Sequence, residues 1–523
     1  MVYARRKKRK RRVTLLFVLA ACVIAISISV SLYFVWPILK ELGVKRFFRT
    51  GASATDSSGI YIDSGIERAR IFDRSGTVLA TNNTIVSAYA RPFLLPLNND
   101  WMAAVSGILG VPQEEIKQEV SMTRNFVWLK TGIGDAEADR LKAAHIPGIG
   151  VAEGFKRFYP YRDLATQILG FVDQNGMGLE GVESFYNSRL GAKECKDPQA
   201  PDCSLHLTIE RGVQLLAQEE LRNELSKMRG EEGCMILMGF DTGQILAMAV
   251  SPSWDAERFW QNDQAGFSNY AIRSVVDPSI FFLFTNWIAS ARSLSGTDNA
   301  NGSSAPDVKT GGFNFVRIND RFSVFGPWTG QEIKTSDFNG NMLNDMWGLG
   351  FGQMTGIDLP NEDMGRLPSN PPYSWDDLLV QGMAASPVQM LRAFCALINR
   401  GKLVQPHVAF EYPKKDRTLY WDCGLQTVKD SVPVTEEATL KFRLKLSQPE
   451  GSPVFTIKRH DETEGNKGSA QIAAMGFWPV DAPVIGYIVV LDSVKEDPAR
   501  YVEVFGGIKK VVRAAARLPL DVL

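Results

Sequence analysis

An α+β protein carried on a membrane anchor is the fold class this sequence predicts, and three observations predict it. Residues 13–36, VTLLFVLAACVIAISISVSLYFVW, carry no charge and follow the all-basic run RRKKRKRR at 5–12. Two strand–turn–strand patterns stand far apart in the chain, CMILMGF-DTG-QILAMAV from Cys234 and GSAQIAAMGFWPVDAPVIGYIVVLDSV from Gly468. The segment LHLTIERGVQLLAQEELRNELSKM, from Leu205, passes from a strand into a long amphipathic helix. Strands at both ends with helical and loop segments between them point to a sheet with helices packed on it.

The uncharged run comes first. At about 1.5 Å per residue it can cross a bilayer core of about 30 Å. The basic block before it stays in the cytoplasm by the positive-inside rule, so the chain after Trp36 lies outside. The run is long for a signal-peptide core and no A-x-A site directly follows it, which favours a retained anchor. Within it Ala21, Ala25 and Ser29 recur every four residues and share one helix face, a spacing that lets helices approach closely in lipid.

The whole chain has 523 residues, 45% of them hydrophobic and 22% charged, an ordinary globular balance. Lys+Arg and Asp+Glu are equal at 58 each, so no electrostatic feature calls for a nucleic acid. Of the six cysteines, Cys22 lies in the anchor, and Cys234 and Cys395 lie in apolar contexts that suit buried thiols. Cys195 and Cys203 flank KDPQAPD on the outer side, where an oxidising compartment permits a local disulfide, and their pairing stays open. His145, His206, His407 and His460 have no metal-ligand spacing, so no metal site is expected.

Past the anchor, residues 37–65 read as a connector. RARIFDRSGTVLATNN reads as strand, turn, strand, with RSG as the turn. Residues 100–145 carry helical periodicity, as in AEADRLKAAH, and 154–192 mix short strands with a helix. The resulting division is a cytoplasmic tail at 1–12, an anchor at 13–36, a connector and first outer domain at 37–204, and a second outer domain at 205–523.

The order of several blocks resembles the class B penicillin-binding proteins, membrane-anchored D,D-transpeptidases that cross-link peptidoglycan. ERARIFDRSGTVLA, KRFYPYRDLATQILGFV and GMGLEGVESFYNSRLGA resemble the family's pedestal domain. LTIERGVQ, FDTGQILAMAVSPSWD, GLGFGQMTGIDLPNE and QGMAASPVQMLRAFCALINRGKLVQPHV resemble its transpeptidase domain, in the expected order. Length and a modest pedestal resemble the division-specific branch more than the elongation branch. The resemblance implies a mixed α/β pedestal (dimerisation-like) domain. Beyond it comes a serine β-lactamase-like domain with a central antiparallel sheet flanked by helices. It implies no cofactor. As partners it implies a polytopic glycan polymerase and other division proteins in the membrane, with peptidoglycan peptide for the cleft. It also implies a single-pass place in the bacterial cytoplasmic membrane, with the bulk of the chain periplasmic or extracellular.

The family's chemistry needs three motifs. In S-x-x-K the serine attacks the donor peptide, and the lysine one turn on takes its proton, because a serine hydroxyl is a poor nucleophile unaided. S-x-N relays protons. K-T-G supplies a cation beside a strand edge that pairs with the peptide. Aligned with E-P-G-S-x-F-K, the stretch VVDPSIFFLF puts Ser279 on the glycine, Ile280 on the nucleophile and Leu283 on the lysine. A one-residue slip makes Ser279 the nucleophile but leaves Phe282 in place of the base. No S-x-x-K and no S-x-N occur anywhere in the chain. In KTSDF, Thr335 takes the serine position and Asp337 the asparagine position. In GNKGSAQ, Asn466 takes the lysine position, Lys467 the threonine and Gly468 the glycine. Neighbouring residues of a strand face opposite ways, so Lys467 should point away from the cleft. Gly468 and Ser469 keep the backbone of an edge. The literal KTG at Lys309–Gly311 precedes the S-x-N position and sits in a Gly/Ser-rich stretch, so it reads as chance.

Two readings follow. One is a pseudoenzyme that scaffolds or regulates the wall machinery. The other is a working transpeptidase whose site is rebuilt around Ser279. A penicillin sensor is a weaker third, because acylation needs the same serine and lysine.

Overall fold

Two short strands, β1 (Ala54–Thr55) and β2 (Tyr61–Ile62), pair antiparallel with Ala54 opposite Ile62. They belong to Met1–Ser64, one of two units into which the chain divides; the other is Gly65–Leu523. The structure, a computed structural model, describes residues 54–55, 61–62, 67–122, 125–173, 176–191, 204–261, 267–273, 284, 287–288, 291, 313–317, 322–327, 340–367, 383–410, 434–446, 454–459, 469–479, 482–496 and 507–518. No helix among the described residues is long and apolar enough to cross a membrane. The expected anchor, residues 13–36, lies outside them.

The second unit begins with the strand–turn–strand read from RARIFDRSGTVLATNN. β3 (Ile71–Phe72) pairs antiparallel with β4 (Val78–Ala90). Asp73 closes the turn: its Oδ1 accepts from Ser75 N at 2.9 Å and from Thr77 N at 2.7 Å. A short polar side chain bonding its own following backbone is the usual chemistry of such turns. β4 also pairs with β5 (Val127–Lys130) and, along ten residues, with β6 (Ile149–Phe158). The expected helices form at Asp100–Leu109, Gln113–Met122 and Asp135–Ala143. Trp101, Val105, Leu109, Ile116 and Leu141 recur at helical spacing and bury against Ala88, Ala90, Val127 and Leu129 of the sheet.

Beneath this sheet lies a buried ionic network. Arg68 Nε donates to Glu183 Oε2 at 2.8 Å, and Arg157 Nε to Glu183 Oε1 at 2.6 Å. The remaining Arg68 hydrogens reach Gly176 O at 2.6 Å, Asn187 Oδ1 at 2.8 Å and Glu183 O at 2.9 Å. Burial alone would raise the Glu183 pKa. The charges and hydrogen bonds of Arg157 and Arg68 outweigh it and hold the carboxyl below its ordinary range. Gly181 supports the same corner with φ +57°, where an added Cβ would lie 2.4 Å from Ile168 O.

β7 (Leu205–His206) then runs parallel to β3, Ile71 opposite Leu205. One residue later Leu207 bridges Ala409. The position where the sequence marks a new domain is thus a strand of the first sheet that feeds directly into the second.

That second sheet is antiparallel and has seven strands: β8 (Glu232–Gly239), β9 (Ile245–Ser251), β10 (Phe313–Arg317), β11 (Phe322–Pro327), β12 (Val454–Arg459), β13 (Ala470–Trp478) and β14 (Ile485–Val494). Their spatial order is β10-β11-β12-β13-β14-β8-β9. The DTG stretch makes the β8–β9 hairpin, as expected. Gly243 sits there at φ +78°, and a Cβ would fall 2.1 Å from Gln405 O. Strand alternation splits the core in two. Met235, Leu237, Ile472, Ala474, Val489 and Leu491 face the Arg211–Met228 helix and the Ile508–Ala515 helix. Cys234, Ile236, Ala473, Met475, Ile488 and Val490 face the Pro387–Ile398 helix. Cys234 and Cys395 are the buried free thiols the sequence suggests. The whole is mixed α+β, helices on both faces of a central sheet.

The Pro387–Ile398 helix is buried all round. Ser386 caps it, donating backbone N–H to Gln389 Oε1 and accepting from Gln389 N, with Pro387 at the first position where its missing N–H costs nothing.

Candidate functional site

The three motif positions fall outside the described residues: Ser279, Ile280 and Leu283; Thr335 and Asp337; Asn466, Lys467 and Gly468. So do Cys195 and Cys203. The described residues that flank them set the frame.

Phe284, Trp287, Ile288 and Ala291 follow the first motif position at i, i+3, i+4 and i+7, and all four are buried. Phe284 meets Phe351 edge-on at 5.1 Å, and Trp287 packs on Phe394 at 5.5 Å and Phe442 at 6.0 Å. The stretch after SIFFL therefore belongs to the aromatic core above the sheet.

Upstream of the same position, Tyr270 is buried. Its Oη donates to Asp492 Oδ2 at 2.8 Å, and Gln471 Nε2 donates to the same oxygen at 2.6 Å. Gln471 Nε2 also reaches Tyr270 Oη at 3.2 Å. Arg273 lies 5.3 Å over the Tyr270 ring and bridges Glu232 at 3.2 Å. Burial, then the Asp492 charge, pushes the Tyr270 phenol far above its ordinary pKa. It stays a proton donor and cannot serve as a base. This cluster ties the chain entering the first motif to β13, which follows the third, and to β14. Sequence reading missed it because Tyr270, Gln471 and Asp492 match no motif and are 201 and 21 residues apart.

Ser469 leads into β13, an inner strand of the second sheet, while Gly468 lies outside the described residues. β13 is hydrogen-bonded to β12 along Val454–Arg459 and to β14 along Ile485–Val494. β12 is in turn covered by β11. Along Ala470–Met475 the backbone of β13 is thus paired on both sides by this chain's own strands. Among the described residues no cluster of His, Cys, Asp and Glu is placed to hold a metal.

Two family models match the chain. Residues 64–198 match the penicillin-binding protein dimerisation domain, and residues 329–441 match the penicillin-binding protein transpeptidase domain. The chain belongs to the class B penicillin-binding proteins. The transpeptidase match takes in Thr335 and Asp337 but neither the 277–283 stretch nor the 466–468 stretch. This penicillin-binding protein is similar to stage V sporulation protein D of Bacillus subtilis, 24% identical over 82% of this chain and 74% of that one. It is also similar to the probable peptidoglycan D,D-transpeptidase PbpC of Pseudomonas aeruginosa, 25% identical over 65% of this chain and 66% of that one. Among solved structures it shares its fold with the penicillin-binding protein PBP2 of Helicobacter pylori, with a TM-score of 0.60 at 16% identity, covering 87% of this chain and 99% of the other.

Proposed function

We propose that this protein is a catalytically silent class B penicillin-binding protein, held in the cytoplasmic membrane by residues 13–36. It serves peptidoglycan synthesis during division as a scaffold or regulator of a polytopic glycan polymerase. One observation carries this reading: no S-x-x-K occurs in 523 residues, and the aligned positions hold Ile280 and Leu283. Without a nucleophile and its base the acyl-enzyme cannot form. Losing one member of such a unit commonly costs several orders of magnitude in rate, and Asn466 removes the third motif's cation as well.

A second reading keeps the enzyme, with Ser279 as nucleophile. It draws on Thr335, which retains a hydroxyl at the second motif, and on the transpeptidase names of the relatives. Intact mass of the full chain after incubation with a reactive fluorescent penicillin separates the two. The scaffold reading expects no mass increase. A stoichiometric adduct mapped to Ser279 overturns it.

A further inference from the structure

A cleft of about 610 Å³ opens within the Gly65–Leu523 unit, between residues around Gln167, Phe171 and Gly181 and residues around Trp254, Asn269 and Pro360. Its size sits inside the roughly 300–1,000 Å³ range of small-molecule sites. One wall is aromatic. Phe171 stacks on Phe259 at 4.2 Å and meets Trp254 edge-on at 5.3 Å, and Phe267 closes against Trp254 at 5.3 Å. The rim is built of amides and a hydroxyl, Gln167, Asn269, Asn361 and Ser268. Trp254 is 5% exposed, and its indole N–H has no hydrogen-bond acceptor among the described residues.

The charges decide what class of molecule fits. Arg273 is the one cation among the described lining residues, and its guanidinium is already engaged by Glu232 at 3.2 Å and by the Tyr270 ring. Glu180, also in the lining, offsets it further, and burial raises that carboxyl's pKa. A phosphate or carboxylate therefore meets no surplus positive charge. A purely apolar molecule would leave the buried Trp254 indole N–H without an acceptor, at a desolvation cost of about 1–3 kcal/mol. A neutral ligand with apolar faces and many donors and acceptors satisfies both walls.

We propose that this cleft binds a short stretch of glycan made of N-acetylated hexose units, one sugar face against the aromatic wall and its acetamido and hydroxyl groups on the amide rim. The inference rests on the wall-synthesis reading for the source of the sugar. The fit itself rests on the cleft.

The test is calorimetric titration of the full-length chain in detergent with the β-1,4-linked tetramer of N-acetylglucosamine. The glucose tetramer of the same linkage serves as control. Ser268→Trp, which adds bulk at an exposed lining position, and Phe259→Ala, which removes one stacking ring, are measured beside the parent, each with its thermal midpoint. The proposal expects saturable binding of the acetylated tetramer, at least about 10-fold weaker binding of the glucose tetramer, and a similar loss in Ser268→Trp at an unchanged midpoint. No binding by the parent, or equal binding by parent and Ser268→Trp, overturns the site. Equal binding of the two tetramers overturns the acetamido assignment. Because penicillin labelling is measured separately, a chain that binds no glycan and takes no label ends this inference and leaves the pseudoenzyme reading standing.

Discussion

Tyr186 Oη donates to Asp358 Oδ2 at 2.6 Å across 172 residues of sequence. Asp358 also accepts from Val408 N at 2.6 Å and Ala409 N at 2.9 Å, and all of these groups are buried. One carboxylate thus joins the short helices that close the first sheet to the loop and strand end beneath the second. Tyr186→Phe removes one donor and should cost about 1–2 kcal/mol. Asp358→Ala leaves two buried backbone N–H groups unmet and should cost more. Urea denaturation followed by tryptophan fluorescence checks both, and equal midpoints for Tyr186→Phe and the parent would show that the contact carries no net energy.

The Glu183 network should be harsher. Glu183→Ala leaves the buried Arg68 and Arg157 guanidinium groups side by side with no counter-charge. A loss of about 3–5 kcal/mol is expected. Soluble yield and thermal midpoint report it. A variant as stable as the parent would mean that water replaces the carboxylate at that corner.

Glu224 gives a pH dependence. Its side chain is fully buried in the Arg211–Met228 helix. It accepts from Lys227 at 3.0 Å through Oε1, whereas Oε2 has no donor among the described residues. Burial raises its pKa to about 7, with Lys227 lowering it and Glu220 raising it. The native state therefore binds this proton more tightly than the unfolded chain. Its contribution to stability is full below the unfolded value of about 4.5 and is lost as pH rises to about 7. Glu224→Gln keeps the shape without the charge. It should stabilise the protein by about 1 kcal/mol at pH 8 and change little at pH 4. Thermal melts across that range test it, and a larger gain at pH 4 than at pH 8 would refute the sign.

Restoring the first motif alone should not restore chemistry. Ile280→Ser with Leu283→Lys rebuilds nucleophile and base, but Asp337 and Asn466 remain at the other two motifs. Acylation by penicillin, read by intact mass, should stay undetectable over hours. Rapid labelling of the double variant would confine the damage to one helix.

The proposed anchor offers a test of the proposed partner, a glycan polymerase. Ala21→Leu with Ala25→Leu fills the small-residue face of residues 13–36 without reducing hydrophobicity. Co-purification with the glycan polymerase should fall several-fold while the chain stays in the membrane fraction. Undiminished co-purification would argue against this face as the contact.

What the sequence alone determined is local. The Asp73 turn, the hairpin at Asp241–Gly243 and the amphipathic helix at Arg211–Met228 were legible because each is specified within a few residues, by turn chemistry or by periodicity. The absence of any S-x-x-K was legible too, since chemistry at a motif needs particular atoms at particular spacings. Only the tertiary structure decided the rest. Glu183 reads as one more acid in GMGLEGVESF until Arg68, ahead of β3, and Arg157, in β6, converge on it. Tyr270, Gln471 and Asp492, or the aromatic wall of Phe171, Trp254 and Phe267, have no spacing to recognise. Hydrogen bonds and ring contacts act over a few ångströms, and which distant residues come that close is set by the packing of the two sheets and their helices, not by any segment read alone.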